Sequence, residues 1–215
     1  MRDRWDITER LFAAYYPKIA RRSEEAGQRE TRAGLLAAAT GRTLEVGTGN
    51  GFNLEHYPPT VTELVLSDPS PHMLDALRAT IAERPPAVGS WEIVQAGLED
   101  LPFADGEFQT VVCTYVLCSV SDPRRALQEI TRVLAAGGRL LFLEHVRDAE
   151  GTALGRIQDL IEVPHRLAAA GCRPNRRTAE LIKNSPLALR TLSRERQPSS
   201  LPTVAPIIVG SAERA

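Results

Sequence analysis

The sequence has few cysteines, almost no net charge and no long apolar run, and each shortage removes a class of protein. Three cysteines (Cys113, Cys118, Cys172) in 215 residues cannot close into a disulfide set, and no Cys-x-x-Cys pair or Cys/His ligand spacing occurs. A reducing cytoplasm is therefore expected, and no metal site. No stretch approaches the roughly 20 apolar residues of a membrane helix. The opening Met-Arg-Asp-Arg-Trp-Asp has no apolar core of signal-peptide length, so a protein without a membrane anchor is expected. With 26 basic and 27 acidic residues the formal charge is −1. No overall field favours nucleic acid or an anionic bilayer, and a small-molecule partner fits better.

What is present is a chain of 43% hydrophobic and 25% charged residues, the balance of one α/β domain with a sizeable core. A polar, Arg/Glu-rich helical lead at about residues 5–39 precedes apolar runs at 43–46, 61–67, 91–95, 108–116 and 138–144, with helical segments between them. Buried runs alternating with helices predict a doubly wound, mostly parallel sheet with right-handed crossovers. Ser70 before Pro71 and Asp122 before Pro123 predict two helix starts, each an N-cap followed by proline. Gly137-Gly138 predicts the end of the second helix. Segments 188–194 and 206–210 can add two strands, an antiparallel C-terminal hairpin that completes a seven-stranded, Rossmann-like sheet.

Residues 44–51 read Leu-Glu-Val-Gly-Thr-Gly-Asn-Gly, an apolar strand that ends acidic and enters three glycines at alternate positions. Such a turn lets backbone approach a ligand closely, and a helical continuation over 52–56 would point N–H groups at it. The dinucleotide spacing Gly-x-Gly-x-x-Gly is not met. Glu45 would repel a pyrophosphate but can engage an ammonium group, which favours S-adenosylmethionine over NAD. Gly47, Thr48, Gly49, Asn50 and Gly51 then form the cradle. Asp68, about twenty positions on and followed by Pro69, can accept both ribose hydroxyls, or it is an ordinary turn residue. Ala96 to Phe103, with Gly97, Leu98 and Glu99, can frame adenine through backbone and apolar groups, although Glu99 can equally be solvated. Thr114 and Tyr115, closing the next strand, would floor the ligand, because open parallel sheets bind outside the carboxyl ends of their strands.

Together these pieces resemble the class I S-adenosylmethionine-dependent methyltransferases over roughly residues 41–212. Val-Cys-Thr-Tyr-Val-Leu-Cys-Ser-Val (112–120), Pro-Arg-Arg-Ala-Leu-Gln-Glu-Ile-Thr-Arg-Val-Leu (123–134) and Leu-Glu-His-Val (143–146) narrow the resemblance. So do Tyr-Pro-Pro (57–59), Gly171-Cys172 with Arg177-Thr178, and the closing Pro206-Ile-Ile-Val-Gly-Ser-Ala. They are similar to the methyltransferase-like alkyl-thiol S-methyltransferases. The resemblance implies S-adenosylmethionine as methyl donor, S-adenosylhomocysteine as product, and Met73 beside the cofactor. It also implies a helical lid at 1–40 over a catalytic domain at 41–215. Unlike in that family, no apolar N-terminal anchor is expected here, and Gly97 stands where related quinone and sterol methyltransferases place an adenine-binding Asp.

A sulfonium is already an activated methyl donor, so transfer needs an in-line nucleophile more than acid–base machinery. A thiol with pKa near ~8.5 demands little from a base, and a phenol near ~10 demands more. The candidate base is His145 after the fifth strand, which can instead orient a loop. His165 lies in the segment that would cover the substrate, as a substrate contact or as a structural helical residue. Tyr15 and Tyr16 can close over the substrate and the methionine end of the cofactor, or pack on the sheet. Cys113 and Cys118 read as small core residues. Arg173, Arg176, Arg177, Arg190, Arg194 and Arg196 can grip an anionic acceptor or form a solvated face. Two other readings stay open: transfer to oxygen, nitrogen or carbon, and a cofactor-binding protein without turnover.

Overall fold

In a computed structural model, which describes residues 2–197 and 200–215, seven strands form one mixed sheet in the order β3-β2-β1-β4-β5-β7-β6. The strands are β1 (Gly41–Val46), β2 (Val61–Asp68), β3 (Trp91–Gln95), β4 (Phe108–Thr114), β5 (Leu134–His145), β6 (Leu187–Arg196) and β7 (Pro206–Arg214). The first five run parallel to one another, and β7 runs antiparallel to both β5 and β6. The chain leaves β1 outward through β2 to β3 and then crosses back from β3 to β4 on the other side of β1, and this reversal of strand order opens a crevice at the carboxyl ends of the central strands.

Both faces of the central strands are covered, so they are apolar throughout rather than alternating. The period-2 pleat still sorts the side chains. Leu44, Val46, Val111, Cys113, Leu140 and Phe142 share one cluster with Ala126, Leu127, Ile130 and Val133 of helix α4 (Pro123–Val133). Leu64, Leu66, Val112, Leu141 and Leu143 share the other with Leu74, Leu77 and Ile81 of α3 (Pro71–Glu83) and Leu35 and Leu36 of α2 (Arg29–Leu36). The helical lead is α1 (Arg2–Ser23) joined to α2 through a π turn, Glu24–Gln28, in which Gly27 has φ +123°. Helices α5 (Ala153–Ala168) and α6 (Thr178–Lys183) lie between β5 and β6 in sequence. No helix among the described residues is long and apolar enough to cross a membrane.

Three local expectations change. The segment after the glycine turn is a single 3₁₀ turn, Leu54–His56, because Gly51, Asn53 and Leu54 turn the chain back before an α-helix can propagate. Gly137 and Gly138 do not end α4. That helix stops at Val133 and the chain passes straight into β5, where Gly137 at φ +72° sits in the register shift against Phe108 and Thr110. Asp122 caps α4 by accepting from the N–H groups of Arg124 and Arg125, but the Ser70 hydroxyl makes no cap bond; the Ser70 N–H instead donates to Asp68 Oδ1 at 2.9 Å.

Candidate functional site

The glycines at 47, 49 and 51 all have positive φ, at 60°, 59° and 86°. Their tasks differ. A Cβ on Gly47 would stand 2.5 Å from Val116 Cγ2, and one on Gly51 would stand 2.6 Å from Leu54 Cδ1, so these two permit close packing. A Cβ on Gly49 would meet nothing within 4 Å, so this residue leaves room for a ligand. Asp68 braces the turn through Gly49 N–H at 3.0 Å, while Thr48 N–H donates to Ser67 O at 3.0 Å. A carboxylate accepts several hydrogen bonds at once, so bracing the turn and accepting ribose hydroxyls are not exclusive roles.

Beneath the turn lies a buried polar chain that the sequence pattern did not reveal. Glu45 accepts from Asn53 Nδ2 at 2.9 Å and from the Tyr57 hydroxyl at 2.6 Å. Burial pushes its carboxyl up to about 7, against the opposing pull of these two bonds and of the Arg32 charge. Arg32, buried on α2, donates to Asn53 Oδ1 at 2.9 Å and to Glu24 Oε1 at 2.9 Å, and its guanidinium lies over the rings of Phe52 and Tyr115. Asn53 Nδ2 also donates to Thr114 Oγ1. The helical lead is thereby fastened to the ends of β1 and β4. Tyr16 is partly buried and packs edge-on against Phe52. Tyr15 points away and donates its hydroxyl to Ala168 O at 2.6 Å.

Several buried polar atoms around this turn lack partners: the Gln28 amide, one helical turn before Arg32, with Asn50 Oδ1, Ser70 Oγ and the Tyr115 hydroxyl. Buried polar groups without partners are costly, and together with the open space at Gly49 they fit a polar ligand such as the amino-acid and ribose portions of S-adenosylmethionine. Toward the expected adenine end, Met73 and Leu98 are buried, Pro69 is exposed, and Gly97 faces Pro69. Glu99 is committed elsewhere: Oε1 accepts Asp122 N–H at 2.5 Å and its carbonyl accepts Arg125 Nε, so it secures the start of α4.

The far end of the crevice is built around β5. Glu144 is fully buried and accepts three consecutive N–H groups, from Val116 (3.0 Å), Leu117 (2.8 Å) and Cys118 (3.0 Å). Burial nevertheless holds its carboxyl well above the usual range. Tyr115, in a left-handed conformation at φ +62°, stacks on His145 with centroids 4.3 Å apart. His145 Nδ1 faces Cys118 Sγ at 3.8 Å and Cys172 Sγ at 3.6 Å, and Nε2 meets Gln197 Oε1 at 3.0 Å. Burial pulls the imidazole pKa down, but the contacts with Cys118 and Gln197 outweigh it and leave the value raised. His165 lies one layer out and donates Nδ1–H to Cys172 O at 3.1 Å. The arginine run is mostly paired, Arg177 with Glu150, Arg173 with Glu162 and Arg190 with Glu213, while Arg176 is buried against Leu117 O.

A switch-point crevice floored by a glycine turn, an acidic residue closing β2 and an antiparallel β7 beside β5 define a class I S-adenosylmethionine-dependent methyltransferase. A methyltransferase-domain family matches residues 44–142. The chain is 35% identical to thiol S-methyltransferase TMT1B of Homo sapiens over 206 residues, 94% of this chain and 84% of that protein. It is 34% identical to thiol S-methyltransferase TMT1A of Homo sapiens over 169 residues, 79% of this chain and 69% of that protein. Its fold is similar to that of N-methyltransferase NodS from Bradyrhizobium japonicum WM9 in complex with S-adenosyl-L-homocysteine. That structure has a TM-score of 0.63 and 18% identity, with 89% of this chain and 86% of that chain covered. The chain belongs to the methyltransferase family that includes TMT1B and TMT1A. It is an S-adenosylmethionine-dependent enzyme.

Proposed function

We propose that the enzyme methylates a small thiol on sulfur by direct in-line displacement. The observation that carries this reading is the 35% identity to thiol S-methyltransferase TMT1B across 94% of the chain. S-adenosylmethionine supplies an activated methyl, so the chain's own task is to hold the acceptor in line and keep water out. The site is poor in disengaged bases, since both ring nitrogens of His145 have partners. That suits a thiol, whose ordinary pKa near ~8.5 makes it nucleophilic with little help.

In this reading Glu45 and the turn from Gly47 through Gly51, with Thr48 and Asn50, take the methionine end of the cofactor, and Asp68 takes the ribose hydroxyls. Pro69, Met73, Gly97 and Leu98 frame the adenine by backbone and apolar contact. Thr114 and Tyr115 form the floor, and the acceptor sits near Tyr115 and His145. Residues 1–40 act as a lid held by Arg32, with Tyr16 on its inner side. Tyr15 and His165 brace the cover. Three free cysteines fit a reducing cytoplasm.

The test is S-adenosylhomocysteine release by the purified protein against a matched panel of thiols, phenols and amines. Turnover confined to thiols is expected; turnover of phenols or amines with none of thiols withdraws the acceptor assignment. Cofactor affinity measured alongside should fall at least about tenfold in Asp68→Ala and in Gly49→Val, each checked for folding by circular dichroism. Unchanged affinity in both would remove the proposed cofactor site.

A further inference from the structure

Three side chains that are far apart in sequence converge at the acceptor end of the crevice. Cys118 follows β4, His145 closes β5, and Cys172 lies in the connection from α5 to α6. Their sulfurs are 3.8 Å apart, and His145 Nδ1 is 3.8 Å from Cys118 Sγ and 3.6 Å from Cys172 Sγ. A tetrahedral zinc ion with Zn–S bonds of about 2.3 Å and Zn–N bonds of about 2.0–2.1 Å sets ligand atoms about 3.8 Å (S···S) and about 3.6 Å (S···N) apart. The S···S edge and the Cys172–His145 edge have those lengths, and the Cys118–His145 edge, at 3.8 Å, is slightly longer.

The imidazole is held in the orientation a metal requires. Nε2 lies 3.0 Å from Gln197 Oε1, an atom that can only accept, so Nε2 carries the hydrogen and the Nδ1 lone pair faces the two sulfurs. The backbone of both cysteines is also fixed. Cys118 N–H donates to Glu144 and Cys118 O accepts from Arg173 N–H at 2.9 Å, while Cys172 O accepts from His165. Gly171, at φ +87°, lets the two loops touch: a Cβ there would stand 2.8 Å from Ser119 O.

We infer that Cys118, His145 and Cys172 form a zinc site with an open fourth position. Thiolate and imidazole ligands select zinc over magnesium or calcium, and no fourth Cys, His, Asp or Glu joins the group among the described residues. Three protein ligands and one exchangeable position are the pattern of a reactive rather than a structural zinc. The occupant of that position rests on the thiol reading above: an acceptor thiol that ligates the metal gives up its proton to solvent. Its sulfur then forms the new S–CH₃ bond as the bond from the methyl group to the sulfonium breaks.

The experiment is metal analysis of the full chain, purified without chelators from zinc-supplemented cells, followed by cobalt substitution. One zinc per chain is expected, with a thiolate-to-cobalt charge-transfer band in the cobalt form that is lost in Cys118→Ser and Cys172→Ser and kept in Cys113→Ala. Gln197→Leu, which leaves all three ligands in place, should retain the site with about 10–100-fold weaker zinc affinity. Zinc content below about a tenth per chain with no charge-transfer band in the wild-type protein overturns the site, whether or not Cys118 and Cys172 are recovered as a disulfide. So does binding that survives in both cysteine variants. Zinc bound without thiol turnover leaves the metal site standing and removes the acceptor assignment; thiol turnover by zinc-free protein does the reverse.

Discussion

Glu45 couples the charge of the crevice to pH. Its carboxyl is protonated below about 7 in the empty protein because burial outweighs the bonds from Tyr57 and Asn53. An ammonium group favours the ionised form, so binding the cofactor should release a proton wherever Glu45 is still protonated. Cofactor affinity is therefore expected to rise by up to about tenfold per pH unit below 7 and to level off above it, with Glu45→Gln flattening the profile. Isothermal titration at several pH values, in buffers of different ionisation enthalpy, reads both the affinity and the proton count; a wild-type profile as flat as that of the variant would rule the coupling out. Glu45, Gly49 and Asp68 were legible in the sequence because a strand end and a glycine turn are local patterns. Arg32 and Gln197 were not. Arg32 sits in a helical lead full of arginines and is singled out by partners distant in the chain, among them Asn53, 21 positions later, and Gln197 by His145, 52 positions earlier.

At the scale of elements, α4 is set by its ends. Its start is capped by Asp122, so Asp122→Ala should cost about 1 kcal/mol, measured by chemical denaturation. Further along, Glu129 has a nearly buried carboxylate that engages Arg132 and accepts Leu101 N–H at 3.0 Å; chiefly the Arg132 bond holds its pKa below the usual value near 4.5. A lowered carboxylate pKa contributes stability above the unfolded value, and that contribution is lost as pH falls through the folded one. Glu129→Gln is thus expected to be about 1 kcal/mol less stable at neutral pH, and the gap should close progressively below pH 4.5. A gap that stayed constant in melts down to pH 3 would assign the effect to packing. All seven strands were legible, since apolar runs bounded by turn residues need no tertiary information. The turn at Gly137-Gly138 was misplaced because a glycine pair reads the same after a helix as inside a bulged strand. The expected helix over 52–56 failed because Asn53 is needed under the turn and Leu54 in the core.

In the whole molecule, β7 lies between β5 and β6, and among the described residues β6 reaches the sheet only through it. Gly210 marks the tightest crossing: a Cβ there would collide with Thr191 O and stand 2.7 Å from Phe142 Cζ. Gly210→Val should therefore destabilise the protein by about 1–3 kcal/mol or more, visible as a lower melting temperature, and it should do so even with S-adenosylhomocysteine bound. Cys118, His145 and Cys172 were invisible as a group to sequence reasoning, which tests ligand spacing along the chain, whereas here three connections of the fold create the spacing. Gln197 begins the link from β6 to β7 and is held there by its own N–H to Ala205 O. The partner of His145 Nε2 therefore comes from the link between the two C-terminal strands, so the imidazole has its Gln197 bond only where that hairpin is paired beside β5. The cluster of Cys118, His145 and Cys172 thus depends on the last strands of the chain, whereas the proposed cofactor cradle draws on β1, β2 and β4 with Arg32 of α2 and is independent of the hairpin.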